Sequence, residues 1–197
     1  MRFVIATHNA HKLTEFARIL KPLHIEALSE NELSAPLPDV EETGTTFAEN
    51  AYLKAASACM ATGLPAVADD TGLCVDALNG EPGIYSARYA PDDVKSETIL
   101  QKMTDVPTDE RSARFICAIC CVFPNGDRLD VQGVCEGVIS ANIRGTNGFG
   151  YDPIFECPDG RTFAEMTAEE KDAYSHRGKA LKLFSEKLQA YQEEKYV

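Results

Sequence analysis

Ala66-Val67-Ala68-Asp69-Asp70-Thr71-Gly72 passes from three small apolar residues straight into two adjacent acids and a Thr-Gly pair. An apolar run bounded by a turn signal reads as a buried strand. Acids at the carboxyl end of such a strand stand where open α/β sheets gather their ligands. Two like charges side by side at the edge of a core are costly unless a cation lies near. The alternative is that Thr71-Gly72 forms a turn that Asp69 and Asp70 merely cap. The cost of the paired charges weighs toward a functional site.

Upstream, the capping box Thr46-Phe47-Ala48-Glu49 opens a helix that ends near Gly63. On it Asn50, Lys54 and Ser57 form a polar stripe, which is usually only a solvated face. Lys54 gains interest because this helix leads directly into the aspartate strand. Further toward the N-terminus, residues 2–6 read as a buried strand. Leu13, Phe16, Ala17 and Leu20 then recur at helical spacing until Pro22, and residues 29–44 read as a loop. Downstream come a loop over 80–91 and a helix over 92–103. Strands Ala113–Phe123 and Leu129–Ile139 are joined by the hairpin signal Pro124-Asn125-Gly126-Asp127. The last helix is expected from Ser175 to Gln189, with Leu181, Phe184, Leu188 and Tyr191 on its apolar stripe. Early alternation of strands and helices followed by a hairpin predicts an α/β fold with a mixed sheet.

The 197 residues suit a single domain over 1–197, and 44% hydrophobic residues can fill a core, which argues against disorder. A formal net charge of -12 argues against binding nucleic acid polymers or an anionic membrane surface. It leaves room for a small anion, because a few local cations and a metal can offset the global charge. The first apolar run is too short for a signal peptide or a membrane span, so a cytoplasmic location is expected. Cys117, Cys120 and Cys121 lack a second pair at ligand spacing, so the seven cysteines read as buried free thiols rather than a zinc site.

Four further segments carry chemistry. Thr7-His8-Asn9-Ala10-His11-Lys12 lies at a strand–helix junction, where backbone N–H groups and the helix dipole suit phosphate. The plainer reading makes Asn9 an N-cap and Lys12 a solvated first-turn residue. Gly145-Thr146-Asn147-Gly148-Phe149-Gly150-Tyr151-Asp152 does not fit the dinucleotide fingerprint, yet its glycines allow close approach and Phe149 or Tyr151 can stack on a base. Otherwise those aromatics plug the core. Ser175-His176-Arg177 begins the last helix with Lys171 just before it, and cations at a helix start oppose the dipole. Either they serve a site, or they are solvated or pair with Glu169 and Glu170. Arg88, between Tyr85 and Tyr89, either meets a phosphate or stacks on tyrosine.

Taken in order, these segments resemble the inosine triphosphate pyrophosphatase family. The likeness rests on Thr7–Lys12, Glu41-Glu42-Thr43-Gly44-Thr45-Thr46-Phe47 with Glu49-Asn50-Ala51, and Ala68–Leu73. It continues in Pro82–Tyr89, Gly148–Pro153 and Ser175-His176-Arg177-Gly178. His8 and Thr71 depart slightly, where the family often has Gly and Ser. The resemblance implies an elongated mixed β-sheet with flanking helices, forming two lobes around an active-site cleft, and a homodimer. It implies hydrolysis of deaminated purine nucleoside triphosphates (ITP, dITP, XTP) to monophosphate and pyrophosphate with Mg²⁺. Glu41 and Asp70 would hold the metal, with Asp70 also the base and Asp69 its supporting acid. Thr7, His8, Asn9, Ala10, His11 and Lys12, with Lys54, would meet the phosphates, and Thr71 would also bind substrate. Phe149, Gly150, Tyr151, Asp152, Lys171, His176 and Arg177 would form the base pocket. The competing expectations are a Maf-like pyrophosphatase of other modified nucleotides and a nucleotide-binding module without turnover. Against the module, a pure anion binder gains nothing from carboxylates in its site.

Overall fold

The computed structural model describes residues 1–196; the side chains of His11 and Tyr196 lie outside the described residues. Six strands form one sheet in the order β2-β1-β3-β4-β5-β6. They are β1 (Arg2–Ile5), β2 (Glu26–Leu28), β3 (Ala66–Val75), β4 (Ser112–Val122), β5 (Arg128–Ile139) and β6 (Phe155–Glu156). Five α-helices accompany them: α1 (Ala10–Leu20), α2 (Phe47–Thr62), α3 (Lys95–Lys102), α4 (Ala168–Tyr174) and α5 (His176–Tyr196). Pairing of β1 is parallel to both β2 and β3, whereas β5 and β6 are antiparallel, so the sheet is mixed as expected. No described helix is long and apolar enough to cross a membrane.

The chain divides into two compact units. The first comprises Met1–Asp70, Cys117–Gly133 and Ala180–Val197. Its parallel strands need crossover connections, which α1 and α2 supply. Strand alternation then decides which residues each helix covers. Phe3, Ile5, Val67, Cys117 and Ile119 share a core with Phe16 of α1 and Leu181, Phe184 and Leu188 of α5. Their neighbours Val4 and Ala66 pack instead with Ala58 and Cys59 of α2. The sheet of this unit is therefore covered by α1 and α5 on one face and by α2 on the other. Helix α2 has local signals at both ends: Thr46 accepts a hydrogen bond from the Glu49 N–H, and Gly63 closes it with φ +66°.

The second unit comprises Thr71–Ile116 and Val134–Lys179. Leu73, Val75, Ile99, Phe115, Ile139, Phe155 and Phe163 fill its core. Phe115 meets Phe155 edge-on with centroids 4.8 Å apart.

Several expectations are corrected. Strand β3 does not end at the acids; Asp69-Asp70 lie in its middle and Thr71-Gly72 continue it without a turn. The reason lies in Leu73 and Val75, which are fully buried in the second unit's core and keep the chain extended. The helix expected over 92–103 begins as a 3₁₀ turn, Asp92–Val94, before α3. Helix α5 runs on past Gln189 to Tyr196, because no Gly or Pro interrupts good helix formers there. Lys171 does not simply precede that helix but lies on its own short helix, α4, begun by the capping box Thr167–Glu170. The break falls at Ser175, whose backbone is extended. Gly178 is required there, since a Cβ would collide with the Asp172 carbonyl of α4.

Candidate active site

The sequence-predicted residues fall into two clusters, one in each unit. In the first unit, alternation along β3 sends Asp69 to the face bearing Val67 and Asp70 to the face bearing Ala66. Each acid meets a lysine from the helix covering its face. Lys12 of α1 forms an ion pair with Asp69 at 2.7 Å, with the Asp69 side chain only 2% exposed. Lys54 of α2 stands 3.8 Å from Asp70 and forms a 2.7 Å hydrogen bond with Glu42. Two adjacent buried carboxylates are thus compensated from opposite sides, which answers the cost that made the pair conspicuous.

The two acids differ electrostatically. Burial pushes the Asp70 carboxyl above the ordinary carboxylate range; Lys54 opposes the rise and nearby Glu42 adds to it. Asn50 donates to Asp70 Oδ2 at 3.1 Å. Glu42, rather than Glu41, is the acid that meets Lys54, and Glu41 is exposed.

The Thr7–Lys12 segment follows its plainer reading at Asn9 and departs from it at Lys12. Asn9 is indeed an N-cap, its Oδ1 accepting the Lys12 N–H, while Thr7 Oγ1 accepts the Asn9 N–H. Lys12 is not a solvated first-turn residue, because Asp69 holds it. His8 is exposed with Nδ1 3.1 Å from Glu30 Oε2, and Ala10 is exposed at the start of α1. The expectation for His11 falls outside the described side chains.

The second cluster is built around a glycine turn. Gly148 has φ +74°, and a Cβ there would strike the Asp152 carboxylate. That absence of a side chain lets Asp152 Oδ2 accept both the Phe149 N–H at 2.8 Å and the Lys171 ammonium at 2.5 Å. Lys171 Nζ then lies 4.9 Å from the centroid of the Phe149 ring, and the Arg177 guanidinium carbon 6.0 Å from it. Phe149 is 51% exposed, a large aromatic face flanked by cations. Tyr151 is not available to stack on a ligand: it is buried in the core and its hydroxyl donates to the Ser86 carbonyl. Gly150 is held by Ser96, whose hydroxyl donates to its carbonyl. Thr71 is half-buried in β3.

His176 is buried and stacked on Phe115, with centroids 4.6 Å apart and planes at 10°. Glu170 is engaged by Thr167 and Arg161, so it does not supply the partner that a purely local reading of His176 and Arg177 would need. Arg88 lies over the Tyr85 ring at 5.1 Å, the stacked alternative of its two readings.

Two residues escape the sequence reading. Asn50 groups with the solvated stripe by spacing, yet it is fully buried beside Asp70. Phe115 orients His176 from a strand position that looks like ordinary core. Only tertiary contacts single them out.

The model of the Ham1 family matches residues 3–187. The chain belongs to the Ham1 family. It is 48% identical to the dITP/XTP pyrophosphatase of Streptomyces coelicolor, covering 92% of this chain and 94% of that protein. A dITP/XTP pyrophosphatase of Symbiobacterium thermophilum is 46% identical over 98% of both chains. Among solved structures, a HAM1 protein from Coxiella burnetii superposes with a TM-score of 0.89 at 44% identity, over 96% of this chain and 99% of that one. The mixed α/β fold of this Ham1 chain is thus shared with solved relatives along nearly its whole length.

Proposed function

We propose that this Ham1 chain hydrolyses the triphosphates of deaminated purines, ITP, dITP and XTP, to the nucleoside monophosphate and pyrophosphate. The observation that carries the reading is the pair of buried acids in β3, each met by a lysine from a different helix. That arrangement suits in-line displacement at the α-phosphorus, where positioning and charge neutralisation supply most of the rate. Lys12 and Lys54 bind triphosphate oxygens, and the junction at Thr7–Lys12 adds backbone N–H groups. Asp70 takes the proton of the attacking water. The Asn50 amide, donating to Oδ2, holds this carboxylate in place. In the metal-free chain, burial holds the Asp70 carboxyl above the ordinary carboxylate range. As the Pα–O bond to the leaving group breaks, the lysines offset the charge gathering on pyrophosphate.

Among the described residues no group of three or more His, Cys, Asp or Glu forms a ready-made metal cage. An oxygen-only pair nonetheless fits Mg²⁺, which usually takes one or two carboxylates with waters and substrate phosphates. By the family resemblance, Asp70 and Glu41 would hold it. When bound it supplies further neutralisation of phosphate charge.

Selection against adenine follows from hydrogen-bond sign. Hypoxanthine and xanthine offer an acceptor oxygen at position six, where adenine offers an amino donor. Lys171, His176 and Arg177 present donors, and pairing them with another donor costs about 1–3 kcal/mol, or about 5- to 150-fold. Phe149 supplies the stacking face. Stacking on an aromatic is worth about 1–3 kcal/mol per base. Phe149→Ala is therefore expected to raise KM for ITP about tenfold. Because Phe149 is half-exposed, Tm should move little. An unchanged KM would remove Phe149 from the base pocket.

The purified chain with Mg²⁺ should be offered ITP, XTP, GTP, ATP and pyrimidine triphosphates, with pyrophosphate measured. ITP and XTP are expected to be cleaved fastest, and EDTA should stop release. Equal rates on ATP and ITP would overturn the specificity, and undiminished release in EDTA would overturn the metal requirement. The family resemblance also supports a homodimer, which sedimentation equilibrium would test.

A further inference from the structure

Asn50 lies in the first turn of α2 and is fully buried, a costly place for an amide unless both its ends are paired. Both are. Its Oδ1 accepts the Gly44 N–H at 2.9 Å and its Nδ2 donates to Asp70 Oδ2 at 3.1 Å. The Gly44 partner fixes the amide's orientation, because a backbone N–H can only donate and so must face the oxygen. The NH₂ group is thereby aimed at Asp70. Gly44 in turn has no room for a side chain: a Cβ would lie 2.6 Å from Asn50 Oδ1 and 2.7 Å from Glu49 Cβ. The next two residues are pinned to the same helical turn, with Glu49 Oε2 accepting the N–H groups of Thr45 and Thr46. One side chain therefore joins the acid-bearing segment at Glu41–Gly44 to Asp70, 20 residues further on in sequence from Asn50 itself.

We propose that Asn50 is a positioning residue, its amide holding Asp70 and the Glu41–Gly44 segment in a fixed register. The inference rests on the pyrophosphatase reading above. Neither near-isostere reproduces both bonds: Asp accepts from Gly44 but repels Asp70, and Leu keeps the volume while offering neither bond.

The test uses the full chain with Mg²⁺ and ITP, together with hydrogen exchange at the Gly44 amide. Asn50→Asp is expected to lower kcat about 100-fold, the penalty of a misplaced reacting group, with KM within about threefold and Gly44 still protected. Asn50→Leu should lower kcat similarly and lose Gly44 protection by about tenfold or more. As a stability control, Ala58→Gly weakens the same helix away from the acids and should keep kcat at a matched loss of Tm. A kcat for Asn50→Asp near that of the parent chain would overturn the proposal, as would an equal kcat loss in the Ala58→Gly control. If the parent chain releases no pyrophosphate from any triphosphate, the functional reading fails. Gly44 exchange then judges Asn50 separately: protection kept in Asn50→Asp and lost in Asn50→Leu supports the bridge, and equal protection in both overturns it.

Discussion

Asp70→Asn is expected to abolish pyrophosphate release, by about 1,000-fold or more in kcat, while making the protein more stable at neutral pH. The two effects share one cause. Asp70 is buried with Glu42 nearby, and its carboxyl is pushed above the ordinary range. The folded chain therefore holds that proton more tightly than the unfolded chain does. Stability from this group is fully present below the unfolded carboxylate value and is lost as pH rises through the raised folded one. At neutral pH the ionised Asp70 is thus a net burden on the apoprotein. Asparagine removes the charge yet keeps an oxygen to accept the Asn50 amide, and Lys54 keeps Glu42 as its 2.7 Å partner. Tm should rise by about 2 °C, and its decline with pH across the interval just above the ordinary carboxylate range should flatten. A variant with near-normal kcat would displace Asp70 from the role of base. A variant with lowered Tm would show that the carboxylate is held by favourable partners rather than strained by burial.

How far these features can be read in the sequence depends on where their causes lie. Helix α2 is legible because Thr46, Glu49 and Gly63 act within a turn of its ends. The apolar stripe of α5 is legible because Leu181, Phe184 and Leu188 repeat at helical spacing and pack in one core. The short α4 has only seven residues, too few for periodicity, although its Thr167–Glu170 capping box is visible in principle. The course of β3 beyond Asp70 is hidden, because Thr71-Gly72 resembles a turn and the burial that overrides it comes from another core. In the aromatic pair, local sequence treats Phe149 and Tyr151 alike. A carbonyl on Ser86, 65 residues from Tyr151 in sequence, commits the tyrosine to the core and leaves the phenylalanine exposed. Lys12 shows the same limit: its value depends on Asp69, far along the chain.

Lys12→Met should therefore cost stability as well as activity, and the two losses should separate. Asp69 is 2% exposed in its side chain, and Lys12 compensates it at 2.7 Å. Removing the lysine leaves a buried carboxylate without that cation, which typically costs about 3–5 kcal/mol. A denaturant titration should read a drop of about 3 kcal/mol, and kcat/KM for ITP should fall about 100-fold as a phosphate contact is lost. The double variant Lys12→Met/Asp69→Val then distinguishes structure from function. A valine in place of Asp69 would extend the apolar face on which Val67 and Cys117 already pack with α1 and α5. Replacing both members of a buried ion pair by apolar groups is often neutral or stabilising. The double variant should recover most of the lost stability and none of the lost activity. Recovery of both would mean that Lys12 serves the fold alone. Failure to recover stability would mean that the pair contributes more than mutual neutralisation.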